Sequence, residues 1–463
     1  MTSLQVINPY DESLIEEIER IDEKNSFEIL KRSHDLFSNR SNCLPTFKRI
    51  DILEKTAALV KHNALFLAKT ASQEGGKPLT DSKIEIDRAY NGIKVAISEL
   101  LHFGGREVPM NLTPSSNNRI AYTMREPKGV VLALCAFNHP VNMIIHQIIP
   151  AIAIGAPVIV KPASATPLSC RNLVNILYES GLPEAWCPMI LCENSVTEKM
   201  VSDERIAFLS FIGSAKVGWH LRSKLAYGAS CALEHGGAAP VIIDETADID
   251  DAIPLLVKGG FYHAGQVCVS VQRIFVHHSI SDYFAERMAK MVVALEVGDP
   301  LNENTEVGPL ISANEVDRVH AWVLEAKENG ARVLCGGNKL SKTTYAPTVL
   351  YNPPDSVNVS KKEIFGPVVC IYTYSEIDEA VKKANQLPFH FQSSVFTKNI
   401  DRALDMVKKL NATTVLVNDH TAFRVDWMPF GGSKHSGQGV GGIGPSMHEM
   451  TLEKLMVIKS NTL

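Results

Sequence analysis

No stretch of this sequence is apolar for long enough to cross a bilayer. The longest apolar window, Met143 to Val160, is interrupted by His146, Gln147, Pro150, Gly155 and Pro157, which excludes a membrane span there. The N-terminus, Met1-Thr2-Ser3-Leu4-Gln5, has neither the basic stretch nor the apolar core of a signal peptide. Basic residues are not in excess: 46 Lys and Arg stand against 51 Asp and Glu, a net charge of −5, so no nucleic-acid-binding field is expected. Nine cysteines, an odd number, lie at 43, 135, 170, 187, 192, 231, 268, 335 and 370 without the spacing of zinc or dithiol sites. Most are expected to be small buried hydrophobes in a reducing compartment, which makes the protein cytoplasmic. The fifteen histidines are scattered, and His277-His278 has no cysteine or carboxylate at ligand spacing, so no metal is expected. Repeats and low-complexity tracts are missing too.

The chain does have length: 463 residues, 45% apolar and 21% charged, enough for two or three lobes sharing a cleft. Apolar residues at helical spacing predict helices over Phe27 to Ser38, Thr46 to Glu74 and Asp81 to Phe103. A polar, turn-rich stretch, Val108 to Ser116, leads into the alternating run Arg119 to Met124. From Gly129 short apolar runs alternate with helical segments: strands at 130–135, 157–160, 189–192, 206–211 and 230–233, with helices over 143–154, 167–180 and 216–227. A second alternating set runs from Val241 to about Leu410. Such alternation predicts an α/β protein with two doubly wound, Rossmann-like lobes, an architecture suited to a dinucleotide. The C-terminal run Lys454 to Lys459 reads as a strand able to extend a sheet edge with Arg119 to Met124.

The Gly-x-Gly-x-x-Gly signature of common dehydrogenases is missing after the first strand, where Ala136-Phe137-Asn138-His139-Pro140 stands instead. Lys161 ends a strand and opens a loop at the edge where an α/β sheet holds its ligand, so it could bond a ribose or phosphate; a solvated loop lysine is an equal reading. Gly213-Ser214 opens a helix after another strand, Ser214 as a possible N-cap, and its free N–H groups suit a pyrophosphate. Leu233-Glu234-His235-Gly236-Gly237 places a carboxylate at a strand end, and Gly265-Gln266-Val267-Cys268 follows. A thiolate that attacks a carbonyl, and water that later attacks the thioester, each need a base, and Glu234 can serve if burial raises its pKa. Either residue alone is more often structural. Asn138 could donate to an oxyanion with the Cys268 backbone N–H, or could simply shape the turn before His139-Pro140. The glycine-rich stretch Gly431 to Gly439 has no strand-to-helix context and reads as a structural loop.

Eight segments occur together and in order: Phe137-Asn138-His139-Pro140, Lys161-Pro162-Ala163-Ser164, Gly181-Leu182-Pro183, Phe211 to Gly218, Leu233 to Gly237, Gly265 to Cys268, Glu363-Ile364-Phe365-Gly366-Pro367 and Pro429-Phe430-Gly431-Gly432. With them the chain resembles the aldehyde dehydrogenase superfamily over essentially its whole length. The resemblance implies that Cys268 forms a thiohemiacetal with the aldehyde, with Asn138 as oxyanion donor. Hydride passes to the nicotinamide, and Glu234 activates the water that hydrolyses the thioester. It further implies cofactor contacts at Lys161, Ser164, Gly213, Ser214, Val217, Glu363 and Phe365. Residues 1–107 and 127–234 would form the cofactor-binding domain, 235–447 the catalytic domain, and 108–126 with 448–463 a small β flap for a homodimer or homotetramer. Ser164 stands where NAD-preferring relatives often carry Glu; a neutral hydroxyl removes like-charge repulsion of a 2′-phosphate, so the cofactor is NAD or NADP.

Three departures concern fine geometry and substrate. His263 replaces the usual Asn before Gly-Gln-x-Cys, Cys192 to Val196 replaces a glycine-rich stretch, and Gly439-Val440-Gly441 replaces Gly-Arg-Glu. By resemblance the substrate pocket draws on His139, Asn142, Met143, His146, Tyr262, Val267, Arg424 and Phe430. That lining is polar, and buried polar groups need partners, so a short polar or anionic aldehyde is expected, of the lactaldehyde or phosphonoacetaldehyde kind. An internal ion pair of Arg424 with Asp426 or a neighbour is an equal reading. Alternatives are a catalytically silent binding protein, a cysteine hydrolase without redox chemistry, and a CoA-acylating enzyme, the last disfavoured by the retained Glu234.

Overall fold

The computed structural model describes residues 3–463. Its first sheet has five strands in the order Gly437–Gln438, Ser230–Glu234, Ile206–Ile212, Val130–Leu134, Val158–Lys161, parallel except for the outermost pair. The interior strand Val130–Leu134 is buried throughout, as a strand covered on both faces must be. Helices Asn142–Ile154 and Pro167–Glu179 pack there with the long N-terminal helices, Leu53, Leu67, Ile93, Ile148 and Leu173 closing one core. Asn142–Ile154 is buried at every position, and for that reason its sequence is apolar all round rather than striped.

The second sheet has seven strands in the order Arg332–Cys335, Thr348–Tyr351, Val368–Tyr374, Val271–His277, Ala239–Ile243, Gln392–Phe396, Thr414–Val417, with only the first pair antiparallel. A separate core of Val241, Leu256, Ile274, Val319, Leu350 and Ile371, among others, surrounds it. The two α/β lobes are therefore present, each with its own apolar interior. Thr451–Lys459 pairs antiparallel with Arg119–Pro127 along its whole length, and Glu107–Val108 completes a three-stranded flap.

Several elements differ from their sequence expectation. The helix predicted over Thr46 to Glu74 divides into Thr46–His62 and Ala64–Gly75. At the junction the Asn63 side chain donates to the Leu59 carbonyl at 2.9 Å, local competition with the helix ladder that asparagine readily offers. The strand expected over Met189 to Cys192 reduces to one bridge between Val160 and Met189. The hairpin Ser3–Ile7/Leu14–Glu19 and the helices Asn194–Val201, Ala313–Glu328 and Ile443–Glu449 were not anticipated. The C-terminal part of the second-lobe stretch returns to the first lobe: Gly437–Gln438 joins the first sheet, and Ile443 and Met447 enter its core. No helix among the described residues is long and apolar enough to cross a membrane.

Candidate active site

In the first sheet the chain steps from Val130–Leu134 outward to Val158–Lys161 and Met189, then returns to the opposite side as Ile206–Ile212. This reversal opens a crevice at the carboxyl ends of the strands, where α/β sheets hold their ligands. A cavity of about 530 Å³ lies there, and both lobes contribute to it. Asn138, Met143, Gly213, Ser214, Val217, Glu234, Cys268, Glu363 and Phe365 all line its wall. Residues spread over more than two hundred positions are thus brought to one space.

Cys268 follows a tightly constrained turn. His263, Ala264 and Gly265 have φ of 48°, 53° and 69°, and a Cβ on Gly265 would lie 2.1 Å from the Gly366 carbonyl oxygen. Left-handed backbone at two non-glycine residues costs about 1–3 kcal/mol each and persists only where surroundings enforce it. Gln266 does so: its side chain accepts from the Ile311 N–H at 2.9 Å and donates to the Pro309 carbonyl at 3.2 Å. The Asn138 amide nitrogen donates to the Gln266 carbonyl at 2.9 Å, which ties it to the loop that carries Cys268 and leaves its second N–H uncommitted. Burial pushes the Cys268 thiol up to about 12, with Arg424 the main opposing influence. The Glu234 carboxyl is raised to about 7 by burial, again against Arg424, and its Oε2 is buried without a hydrogen-bond partner.

The rest of the cavity suits a dinucleotide. Gly213 and Ser214 precede the helix Ala215–Arg222, and Ser214 makes no side-chain cap bond, so the helix N-terminus remains open to an anion. Val217 is exposed toward the cavity although apolar. Glu363, half-buried and raised to about 8 by desolvation, keeps Oε1 without a partner. It reaches over Gly236 so closely that a Cβ there would lie 1.5 Å from Oε1. Phe365, at φ 48°, meets Phe137 edge-on at 5.9 Å. Lys161 is buried at the end of its strand and Ser164 is exposed in the next loop; neither lines the cavity, although Ala163 between them does.

Most residues expected around the substrate form a different, closely packed group. His139 Nδ1 lies 2.6 Å from Lys77 Nζ, which pairs with Glu85 at 2.8 Å and sits 5.3 Å from the Tyr262 ring centroid. Burial and the Lys77 charge keep His139 neutral. Glu85 also accepts the N–H groups of Val141 and Asn142 at 2.8 Å, capping the helix there. Phe430 and Val267 join a small apolar cluster against which Cys268 and Tyr262 pack. Arg424 stacks on Phe430, its guanidinium carbon 3.5 Å from the ring centroid, and donates to His146 at 3.1 Å. Asp426 pairs with Arg88 and His146 rather than with Arg424.

The helix Ala313–Glu328 supplies wall residues that sequence reasoning missed, Glu315, Arg318 and Trp322. Arg318 is held by Glu315 at 2.6 Å, donates to the Ile364 carbonyl at 2.7 Å and lies over the Trp322 ring. The signal was available: Val316, Val319, Val323 and Ala326 recur on one buried face. Phe211 and His235, also lining, sit within segments that had been singled out for their neighbours.

The chain is 34% identical to the 3-sulfolactaldehyde dehydrogenase of Priestia aryabhattai over 456 residues, 98% of this chain and 94% of that one. Its fold matches aldehyde dehydrogenase 21 of Physcomitrella patens in complex with the reaction product succinate, with a TM-score of 0.96, 32% identity and coverage of 100% and 96% of the two chains. It also matches glyceraldehyde-3-phosphate dehydrogenase of Methanocaldococcus jannaschii complexed with NADP, with a TM-score of 0.94, 34% identity and 99% coverage of each chain. The profile of the aldehyde dehydrogenase family covers residues 1–456. The protein is a member of that family, an NAD(P)-dependent aldehyde-oxidising enzyme.

Proposed function

We propose that the protein oxidises a short aldehyde carrying an anionic group to its carboxylic acid, with Cys268 as nucleophile and Glu234 as the base for hydrolysis. The supporting observation is Arg424. It is a buried cation beside Cys268 and Glu234 whose Nε and Nη1 have no hydrogen-bond partner. Buried N–H donors left without an acceptor cost free energy, and an anionic substrate group would satisfy them. Similarity to a 3-sulfolactaldehyde dehydrogenase and to an enzyme complexed with succinate favours the same substrate class.

In this reading Cys268 Sγ adds to the aldehyde carbon, and its proton is released as the thiohemiacetal forms. The uncommitted Asn138 N–H and the Cys268 backbone N–H stabilise the carbonyl oxygen. When bound, NAD(P) would supply the hydride acceptor through which the thiohemiacetal on Cys268 becomes a thioester. Glu234, poised near neutrality, removes a proton from water as it attacks that thioester, and the carboxylate departs with the thiol restored. Gly213, Ser214 and Val217 would hold the pyrophosphate and adenosine side, Lys161 the ribose, and Glu363 with Phe365 the nicotinamide ribose. The neutral, exposed Ser164 leaves room for a 2′-phosphate, so NADP is accepted, alone or beside NAD. His139, Tyr262 and Phe430 would frame the aldehyde, and the strand Thr451–Lys459 would join subunits of a cytoplasmic homodimer or homotetramer.

The test is steady-state assay of succinic semialdehyde, lactaldehyde and butyraldehyde with NAD and with NADP. The expected result is cofactor reduction abolished by Cys268→Ala, with kcat/KM highest for the anionic aldehyde and that preference lost in Arg424→Leu. Equal turnover of all three aldehydes by wild type and Arg424→Leu would overturn the substrate assignment.

A further inference from the structure

The partners of Arg424 form a chain of hydrogen bonds that runs through His146 and Asp426 to Arg88. Asp426 is buried, and its Oδ1 accepts from His146 Nε2 at 2.8 Å, from Asn142 Nδ2 at 3.1 Å and from Arg88 Nη2 at 2.8 Å. Its Oδ2 accepts from Arg88 Nε at 3.3 Å. His146 is buried as well, and its other ring nitrogen, Nδ1, faces Arg424 Nη2 at 3.1 Å. Burial and the neighbouring guanidinium lower His146 to about 4, so its ring carries one proton.

We infer that Asp426 is a positioning residue: it fixes the tautomer of His146, and through that ring it aims the Arg424 guanidinium at the substrate's anionic group. The inference rests on the substrate reading above. A carboxylate ringed by cationic and N–H donors can only accept, so the proton of the neutral imidazole lies on Nε2. Nδ1 then offers a lone pair. Arg424 can only donate, so this tautomer is the one that gives it a partner, while Phe430 fixes the plane of the guanidinium. With one corner held by His146, Nε and Nη1 stay free for a ligand. The opposite tautomer would set an N–H against a guanidinium N–H and release Arg424. Arg88, on the helix Leu79–Leu100, supplies the counter-charge that keeps Asp426 ionised in a buried place, which a lone carboxylate could not remain.

Three variants test this, each checked by thermal melting for folding. His146→Leu removes both hydrogen bonds, and the anionic-to-neutral ratio of kcat/KM, succinic semialdehyde against butyraldehyde, should fall about tenfold, the worth of one hydrogen bond to a charged group. The loss should lie in KM, and succinate should bind about tenfold more weakly by calorimetry. His146→Gln, whose amide can donate to Asp426 and accept from Arg424, should recover most of that ratio. Asp426→Asn should lower it as His146→Leu does, and the ring ¹⁵N spectrum of His146 should show its proton moving from Nε2 to Nδ1. If Arg424→Leu abolishes the anionic preference while these variants leave the ratio and succinate binding intact, the positioning role is overturned and the substrate reading stands. If Arg424→Leu itself changes neither, the substrate reading falls and takes this inference with it.

Discussion

Burial moves Glu234 and Cys268 in the same direction, and the consequences for chemistry are opposite. A carboxyl raised to about 7 becomes a useful base, because it is ionised for part of the neutral range and basic enough to take a proton from water. A thiol raised to about 12 stays protonated at neutral pH, so its proton has to leave as sulfur bonds to the carbonyl carbon. Turnover should therefore rise with pH through about 7 as Glu234 ionises. Glu234→Gln should lose that limb of the kcat profile and slow turnover by roughly 10²–10⁴. A rapid single-turnover burst of reduced cofactor should remain, which stopped-flow absorbance would read; a variant that lost the burst as well would place Glu234 in the first step instead. Glu363 carries a stability consequence. Its pKa is about 8 against an ordinary value near 4.5, so between those values the folded protein binds more protons at this site than the unfolded chain does. Stability from this group is present at low pH and is lost as pH rises through that window. Glu363→Gln should flatten the fall in Tm across the same range in a melting series.

At the scale of elements, the cavity proposed to hold the cofactor depends on close approach between the two lobes. The turn after Ser230–Glu234 carries Gly236, and the Glu363 carboxylate from the other lobe occupies the space that a side chain there would fill. Gly236→Ala should displace Glu363 and raise the cofactor Kd by about fivefold, as loss of one neutral hydrogen bond would, while the far-UV spectrum stays native. Titration of intrinsic fluorescence with NAD and NADP would measure it, and unchanged affinity would remove Glu363 from the cofactor site. The crevice itself was legible because strand and helix patterns alternate from Gly129 onward and the loops at strand ends carry the polar residues. The helix Ala313–Glu328 was missed although Val316, Val319, Val323 and Ala326 mark its buried face, because Glu315, Asp317, Arg318 and Glu325 interrupt that stripe with charge. Likewise the hairpin at Ser3–Ile7 has only Val6 buried, too weak an alternation to read as a strand.

For the whole molecule, the outstanding surface feature is the three-stranded flap. Thr451–Lys459 pairs with Arg119–Pro127 on one edge and leaves the other edge open. Leu452, Leu455, Met456, Val457 and Ile458 are all exposed along it. An open, apolar edge strand invites pairing with another chain. The double substitution Leu455→Lys, Val457→Lys should reduce the assembly to a smaller species by light scattering without changing the melting profile of the lobes. A wild-type protein that is monomeric at assay concentration would contradict the flap's role.

Sequence by itself determined the fold class, the two-lobed layout and most of the residues that line one cavity with Cys268, because periodicity and motif order are local properties that survive without coordinates. It also placed Arg424 near the carbonyl by resemblance. Only the tertiary structure decided who partners whom. Asp426, two residues from Arg424, turns to Arg88 and His146 instead, and His139 is engaged by Lys77, sixty-two positions away. Such pairings between distant segments follow from which helix faces meet across the two lobes and from the need of every buried charge for a partner, and neither is written in residue spacing.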